Sequence, residues 1–458
     1  AASHAARLAD LRAATHVDYE GVMASKRPLL EALHRAARRL PAEDARRADY
    51  ARFVAHEGEA LDRFALFCAL DEHFRPKGCG WWREWPPEYR DPRSDAVAAF
   101  RGTHEETVDF HRWCQFALDR QLGDVARRAR ERGLAVGLYQ DLAIGASPAS
   151  ADVWGEPELF LRGLSIGAPP DPLGPEGQNW GLPPMDPRRL AWRGFAPWAE
   201  LLRSAMRHSG ALRIDHVLGL FRQFWIPEGM DGRHGAYIGF PSDALLGVLA
   251  LEATRAGALV VGEDLGTVPP EVPPAMARWG LLSSKVLVFE REDDGAFRAP
   301  RAYPRMALAT ANTHDLAPLA GWWAGRDVAL RREVGLITEA GAVAAASAER
   351  VTDRARLVAL LVDEGLLDPA ACAGDPGDPT SYDERAIRAA VHALLRRTPS
   401  WLVGISLDDV LGEAEPVNVP GVGPDRFPVW RRRLATELEA LEAEPGLDHV
   451  LGVERARG

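Results

Sequence analysis

The segment ALVVGEDLG at positions 258–266 contains the pattern that decides the fold. A short apolar run ends at Gly262, and two acids, Glu263 and Asp264, follow at once. A run of this kind is typical of a strand buried in a parallel sheet. Residues 242–256 before it have apolar residues at helical spacing. The segment therefore predicts one unit of an alternating helix and strand fold.

Two further segments have the same form. ALRIDH at 211–216 and MALATANTHD at 306–315 each continue an apolar run into a carboxylate, Asp215 in the first and Asp315 in the second. In a parallel barrel, chemistry takes place at the C-terminal ends of the strands. Three carboxylates delivered to such ends are what the cleavage of a sugar acetal requires.

The other strand-like segments extend this alternation. We predict six strands, all after Gly133, at 134–142, 211–218, 257–263, 284–290, 306–312 and 401–407. Residues 1–132 have apolar residues at helical spacing and contain no candidate strand. Six strands are two fewer than an eight-stranded barrel needs. The predicted fold class is therefore α/β, either an open sheet or a (β/α)8 TIM barrel that lacks its first two strands in this chain.

Composition excludes several classes of partner. The 458-residue chain has a formal net charge of −11, so it has no basic excess for nucleic acid or an anionic membrane. No apolar run reaches the roughly 18 residues that cross a bilayer. The four cysteines form no C-x-x-C pair and indicate reduced thiols in a cytoplasmic protein, with a disulfide between Cys68 and Cys79 as the alternative.

The neighbours of the carboxylates favour different roles. Arg213 and Asp215 are two residues apart on a strand and so share one side of it, where Arg213 would keep Asp215 ionised as a nucleophile requires. Glu263, next to the negative charge of Asp264, would hold a proton more readily, as a general acid requires. Taken singly, each acid is more typical of a helix cap or a turn, and only their joint occurrence indicates catalysis.

The stretch 143–195 is dense in Pro, Gly and aromatic residues and predicts a long functional loop. It contains Trp154 and Trp180, and aromatic rings stack on the apolar faces of sugars as they do on other apolar surfaces. The alternative for either residue is a place in the core. Trp180 stands in the Gly-rich segment 177–181, which favours a ligand contact over the core.

Several of these segments together resemble a known family. They are DLAIG (141–145), SADVW (150–154), GAPPD (167–171), GQNWG (177–181), RIDH (213–216), GEDLG (262–266), THD (313–315) and NVPG (418–421). In order and spacing the chain resembles the 4-α-glucanotransferases, or amylomaltases, of glycoside hydrolase family 77, from about residue 15 to its end. It looks most like the long bacterial form.

The resemblance implies a catalytic set and a set of substrate contacts. Asp215 would be the nucleophile, Glu263 the acid/base and Asp315 the residue that stabilises the transition state. The implied substrate-binding residues are Arg213, His314, Asp141, Asp171, Gln178, Trp180, Trp154 and Asn418. The segment 168–181 would be a mobile lid over the acceptor side. No metal or other cofactor is implied.

The resemblance also implies a domain organisation. Residues 1–132 would be a helical insertion subdomain, and residues 133–458 would hold barrel strands three to eight with the long loop 143–195 and a helical insertion at 316–399. The family's first two strands, with a Ser-Pro-Tyr type segment that lines the −1 subsite, are not found in this chain. A second departure is Leu316, where the family often has Asn.

The implied reaction is a retaining transfer between α-1,4-glucans. Asp215 would attack the anomeric carbon while Glu263 protonates the leaving oxygen, and the 4-OH of a glucose or maltooligosaccharide acceptor would then take the glycosyl group. Retention requires the two carboxyl groups to be about 5–5.5 Å apart.

Three alternatives stay open at this point. One is an α-amylase-like glucan hydrolase, and another is an inactive glucan-binding fragment that results from the missing strands. The third is a metal-dependent barrel hydrolase, although no H-x-H pair follows a first strand. Its ligands would be Asp141, His216, Glu263, His314 and Asp315.

Overall fold

The computed structural model describes residues 2–170 and 176–451. The helices are α1 (Ala2–Ala13), α2 (Tyr19–Arg38), α3 (Ala45–Phe74), α4 (Asp95–Thr103), α5 (Glu105–Glu131), α6 (Ala151–Gly155), α7 (Pro187–Trp192), α8 (Ala196–Met206), α9 (Ser242–Ala256), α10 (Val272–Arg278), α11 (Leu319–Ala324), α12 (Arg326–Glu333), α13 (Ala340–Asp363), α14 (Glu384–Arg396), α15 (Leu407–Leu411) and α16 (Pro445–Leu451). The strands are β1 (Tyr139–Leu142), β2 (Leu164–Ala168), β3 (Gln178–Leu182), β4 (Ala211–Ile214), β5 (Arg222–Pro227), β6 (Ala236–Gly239), β7 (Leu259–Gly262), β8 (Leu282–Val286), β9 (Ala307–Thr310) and β10 (Leu402–Gly404).

The described residues form two compact units. The first unit comprises residues 20–264 and 268–281, and the second comprises residues 2–19, 265–267 and those from 282 onward. The first unit therefore contains β1 to β7, and the second contains β8 to β10.

A parallel sheet of three strands, in the order β1, β4, β7, forms the centre of the first unit. Its register places Asp141 opposite Arg213 and Ile214 opposite Gly262. Leu212 and Ile214 of β4 are buried in an apolar core with α8 and α9. Because the strands are parallel and in register, the residues that follow them emerge at one edge of the sheet.

The first unit also contains an antiparallel sheet in the order β3, β2, β5, β6. Our prediction of a long loop over 143–195 was wrong at this point, since α6, β2, β3 and α7 all lie within it. The segments are short and rich in Gly and Trp, so they lack the long apolar periods that identify elements from sequence. Strand β2 pairs with β3 on one side and with β5 on the other.

The N-terminal part of the first unit is helical, as predicted. Helix α5 covers Glu105–Glu131 and ends before Gly133, whose φ of 78° lies in the left-handed region that favours glycine. It packs along α3, and the buried faces of the two helices include Leu66, Leu70 and Val108. Each of the six strands predicted from sequence overlaps a shorter observed strand, and β8 begins two residues before the predicted range 284–290.

The second unit has β8, β9 and β10 as a parallel sheet with helices against it. Helix α14 starts at its cap Asp383, whose carboxylate accepts a hydrogen bond from the amide of Ala386 at 3.2 Å. Its apolar face, with Val391 and Leu395, packs on Trp322 in the largest core cluster of this unit.

Two further properties concern the described residues only. No helix within 2–170 or 176–451 combines the length and the apolar character that crossing a membrane needs.

Cys68, Cys79 and Cys114 are free thiols, and burial raises the pKa of Cys68 to about 12. The side chain of Cys372 lies outside the described part of the chain.

Candidate active site

The first unit brings Asp141, Arg213, Asp215 and Glu263 together, and we name this group the first carboxylate cluster. Strand pairing sets Arg213 directly opposite Asp141, and its Nη1 lies 2.7 Å from Oδ1 of that residue. Its Nη2 lies 2.8 Å from Oδ1 of Asp215, two residues further along the chain. One guanidinium therefore orients two carboxylates.

The electrostatics of Arg213 reflect its surroundings. Burial by itself would lower the pKa of the guanidinium, but the negative charges of Asp215, Asp141 and Glu263, with the hydrogen bond to Asp141, outweigh it and raise the pKa. The Arg213 side chain is only 14% exposed, whereas that of Asp215 is 33% exposed. The cation is thus a fixed charge beneath a carboxylate that remains open to a ligand.

Backbone contacts hold Glu263 beside Asp215. The amide of His216 donates to Oε2 of Glu263 at 3.0 Å, and the amide of Glu263 donates to the carbonyl of Ile214 at 3.0 Å. Gly262 precedes it where a Cβ atom would stand 2.7 Å from Met276 Cε. A larger residue there would require the Met276 methyl group to move and would crowd Val217, whose Cβ is 3.0 Å away.

His216 follows Asp215 with an unusual backbone conformation. Its φ of 44° lies in the left-handed region, which is strained for a residue with a bulky side chain. Burial lowers the pKa of its imidazole, and the charge of Asp215 opposes this only in part. The ring of Trp180 meets it edge-on at 5.3 Å between centroids.

Trp180 lies on β3 in the antiparallel sheet. Its Nε1 donates to Oε1 of Gln178 at 3.1 Å, so two residues predicted to bind substrate orient each other. Asp171, the third prediction in this segment, lies outside the described residues.

A cavity of about 420 Å³ in the first unit is lined by Asp215 and His216. The rest of its wall is mainly apolar and includes Ile144, Phe160 and Trp198. This volume is within the range of small-ligand sites, and a mainly apolar wall with a few polar groups is their usual composition.

The second unit contains Asp315, His314 and Asn418, which we name the second carboxylate cluster. Asn418 Nδ2 donates to Oδ1 of Asp315 at 2.7 Å, and His314 Nε2 lies 3.4 Å from Oδ2. The carboxylate is about as exposed as that of Asp141, at 41% against 46%. A neutral amide thus orients this acid, whereas a cation orients Asp215.

The sequence did not indicate two other residues of the second unit. The ring of Trp430 packs against that of His314 at 5.4 Å between centroids. Asp409 is fully buried and accepts hydrogen bonds from Asn312 Nδ2 at 3.0 Å and from the amide of Leu319 at 2.8 Å. Asp409 thereby ties both ends of the loop that carries Asp315.

Trp154 takes a different place from the other predicted contacts. It is fully buried in the core of the first unit, with Trp85 and Phe67 around it. Its Nε1 donates to the carbonyl of Tyr89 at 3.0 Å. Of the two alternatives that the sequence left open, core or ligand contact, the structure has this residue in the core.

The five residues considered as metal ligands are divided between the two units. Asp141, His216 and Glu263 lie in the first unit, and His314 and Asp315 lie in the second. Over residues 2–170 and 176–451 no group of three or more His, Cys, Asp or Glu side chains is arranged to hold a metal ion.

Comparison with known proteins identifies the family. The family model described as 4-alpha-glucanotransferase matches residues 1–440. The 4-alpha-glucanotransferase of Mycobacterium tuberculosis is 40% identical over 419 residues, which cover 91% of this chain and 55% of that protein. The enzyme of the same name from Haemophilus influenzae is 36% identical over 450 residues, which cover 96% of this chain and 63% of that protein.

A solved structure agrees with this result. The crystal structure of amylomaltase from Corynebacterium glutamicum matches with a TM-score of 0.83 and 33% sequence identity, over 95% of this chain and 60% of that one. The chain belongs to the 4-alpha-glucanotransferase family, and the predicted α/β barrel-like fold class is confirmed. The chain spans between half and two thirds of the length of these relatives.

Proposed function

We propose that this protein transfers segments of α-1,4-glucan to the 4-OH of a glucose or glucan acceptor with retention of configuration. The observation that carries the proposal is the first carboxylate cluster. Asp215 is held by Arg213 at 2.8 Å, and Glu263 is held through the amide of His216 at 3.0 Å. Two carboxylates fixed side by side, one against a cation, are suited to a nucleophile and an acid/base.

In the proposed reaction Asp215 attacks the anomeric carbon, and the bond to the leaving 4-oxygen breaks as Glu263 gives that oxygen its proton. A covalent glycosyl-enzyme results. Glu263 then takes the proton of the acceptor 4-OH, and the acceptor oxygen displaces Asp215. Asp315 would stabilise positive charge at the reacting carbon, and Asn418 would orient its carboxylate.

Substrate contacts follow from the same two clusters. We propose that Arg213, Asp141 and His314 bind the sugar hydroxyls of the donor, since each presents polar atoms next to a proposed catalytic acid. Maltooligosaccharides are the proposed substrates, in line with the names of the relatives. A cytoplasmic location is proposed with this substrate class, and the free thiols of the described cysteines support it.

Product analysis tests the reaction type. The protein expressed from its complete gene is incubated with maltotriose as the only sugar, and the products are separated by chromatography. Transfer yields glucose together with a ladder of chains longer than maltotriose. Glucose and maltose without longer chains would contradict the proposal and favour a hydrolase. The Asp215→Asn variant, prepared in parallel, controls for contaminating activity.

We also propose that Trp180 takes part in keeping water from the glycosyl-enzyme. Its contact with His216, the neighbour of Asp215, supports this role. Trp180→Ala should raise the ratio of hydrolysis to transfer several-fold, since water then competes better with the acceptor. An unchanged ratio, with the exposed Trp192→Ala variant as control, would remove Trp180 from this role.

A further inference from the structure

We propose that Trp430 is a stacking platform for a glucosyl ring of the bound glucan. The inference rests on the proposed function and extends it to a residue to which neither the sequence motifs nor the family comparison assigns a role. Three observations carry it, namely the backbone conformation of Trp430, the exposure of its ring, and its place beside the second carboxylate cluster.

The backbone of Trp430 is held in a conformation that its side chain disfavours. Its φ is 60°, in the left-handed region where bulky residues are rare. Within residues 2–170 and 176–451 it shares this property only with His216 and Phe195 among non-glycine residues. Such strain persists where the surrounding structure enforces it, and it is concentrated at functional sites.

Hydrogen bonds from two directions enforce the conformation. The amide of Trp430 donates to the carbonyl of Val417 at 2.8 Å, and its carbonyl accepts from the hydroxyl of Tyr19. The next residue, Arg431, accepts through its carbonyl from the amide of Val17 at 2.8 Å. The segment is therefore fixed both to the chain beside Asn418 and to the residues after α1.

The strain does not serve to bury the ring. Trp430 is 49% exposed, although Trp is among the residues that gain most from burial. Tyr19, which holds it, is 47% exposed as well. A large apolar ring that is held rigidly in contact with solvent is suited to the apolar face of a pyranose, and it binds with little loss of conformational entropy.

The position of the ring specifies the ligand. Trp430 packs against His314 at 5.4 Å, and its amide is bonded to the residue before Asn418. His314 and Asn418 both contact the carboxylate of Asp315. A sugar that reaches the Asp315 carboxylate would therefore have the indole of Trp430 next to it, so the proposed ligand is a glucosyl unit of an α-1,4-glucan.

The test distinguishes the effect of the indole ring from the effect of the backbone conformation at Trp430. Trp430→Asn removes the indole but keeps a residue that tolerates positive φ, and Trp430→Phe keeps a smaller aromatic face. Trp401→Asn is the matched control, because Trp401 lies in the same unit and is 54% exposed. Transfer kinetics with maltoheptaose are measured on the protein from its complete gene. Calorimetric binding of maltoheptaose is measured with each substitution placed in an Asp215→Asn background.

We expect Trp430→Asn to weaken binding and raise KM about tenfold, with a melting temperature equal to or above that of the parent. Trp430→Phe should show less than half of this effect on a logarithmic scale, and Trp401→Asn should change neither the affinity nor KM. Binding and KM unchanged in Trp430→Asn would overturn the proposal, as would a lower melting temperature without weaker binding. If the parent binds maltoheptaose but performs no transfer, the proposed function fails while the binding comparison still decides the role of Trp430.

Discussion

Both carboxylate clusters have an aspartate next to a histidine whose ring contacts a tryptophan, but the two aspartates are held differently. In the first, the cation of Arg213 orients Asp215, and the strained residue is His216. In the second, the neutral amide of Asn418 orients Asp315, and the strained residue is Trp430. The distance between the His and Trp rings is nearly the same, at 5.3 Å and 5.4 Å.

The difference concerns the charge of the partner that holds each acid. The guanidinium of Arg213 places a fixed positive charge next to Asp215, the carboxylate that we propose as the nucleophile. The amide of Asn418 fixes the direction of Asp315, the carboxylate that we propose to stabilise the reacting centre, without adding charge. The comparison predicts that removing Arg213 and removing Asn418 lower catalysis to different extents, even if removing either acid lowers it equally.

The largest effects are expected from removing either acid. Asp215→Asn and Asp315→Asn should each lower kcat by about 10³-fold or more, since each removes charge from the reacting centre. The two variants should differ in whether they form a covalent glycosyl-enzyme. With a glucosyl fluoride, whose leaving group needs no proton, Asp315→Asn should still form a glycosyl adduct and Asp215→Asn should not. Mass spectrometry of the denatured protein measures the adduct, and an adduct in Asp215→Asn would show that another residue is the nucleophile.

Smaller losses of kcat/KM are expected from removing the partners of the acids, and the loss should be larger for Arg213 than for Asn418. Arg213→Met removes the charged contacts to Asp141 and Asp215, which costs about 2–3 kcal/mol, or roughly 30- to 160-fold in kcat/KM. Asn418→Ala removes one hydrogen bond, at about 1–1.5 kcal/mol, or about tenfold. Equal losses in the two variants would contradict the distinction between a charged and a neutral partner.

The loop that carries Asp315 depends on a buried anchor, Asp409. Asp409→Ala leaves Asn312 and the amide of Leu319 without their acceptor, so we expect a loss of about 3 kcal/mol in the free energy of unfolding. Asp409→Asn keeps one acceptor oxygen and should recover part of it. Chemical denaturation measures both variants. A loss below about 1 kcal/mol in Asp409→Ala would mean that the loop is held in another way.

The smallest effect concerns pH and the strained His216. Burial lowers its pKa in the folded protein, so the unfolded chain binds the proton first as the pH falls. His216 therefore reduces the free energy of unfolding once the pH is below about 6.5.

His216→Asn removes this titration, and Asn accepts the left-handed backbone at about 1 kcal/mol less strain. The variant should be slightly more stable than the parent at pH 8 and gain a further advantage at pH 5. Thermal denaturation at the two pH values checks this. An advantage that shrinks at pH 5 would show that His216 is stabilised by its proton.

Some features of the site followed from local sequence and others did not. The ion pair of Arg213 with Asp215 follows from their two-residue spacing on a strand. Its second partner, Asp141, is 72 residues away, and only the pairing of β1 with β4 sets the two opposite each other. The antiparallel sheet was missed for a related reason, because its short strands depend on their neighbours and not on their own periodicity.

Local sequence also fails to predict which residues are buried or strained. Trp154, Trp430 and Asp409 are examples. All three stand in ordinary local patterns, and the first was open to two interpretations. Burial depends on what packs against a residue from distant parts of the chain, such as Trp85 against Trp154. The conformation of Trp430 likewise depends on a hydrogen bond from Tyr19, 411 residues away.

The sequence by itself determined the alternation of helices and strands, the three acids at strand ends and, through the order of its motifs, the family. These features are encoded by residues close together in the chain. The tertiary structure decided which partner each acid has, which tryptophans are buried and where the backbone is strained. Those properties arise from contacts between distant segments, and their energies exist only once strands and helices have packed.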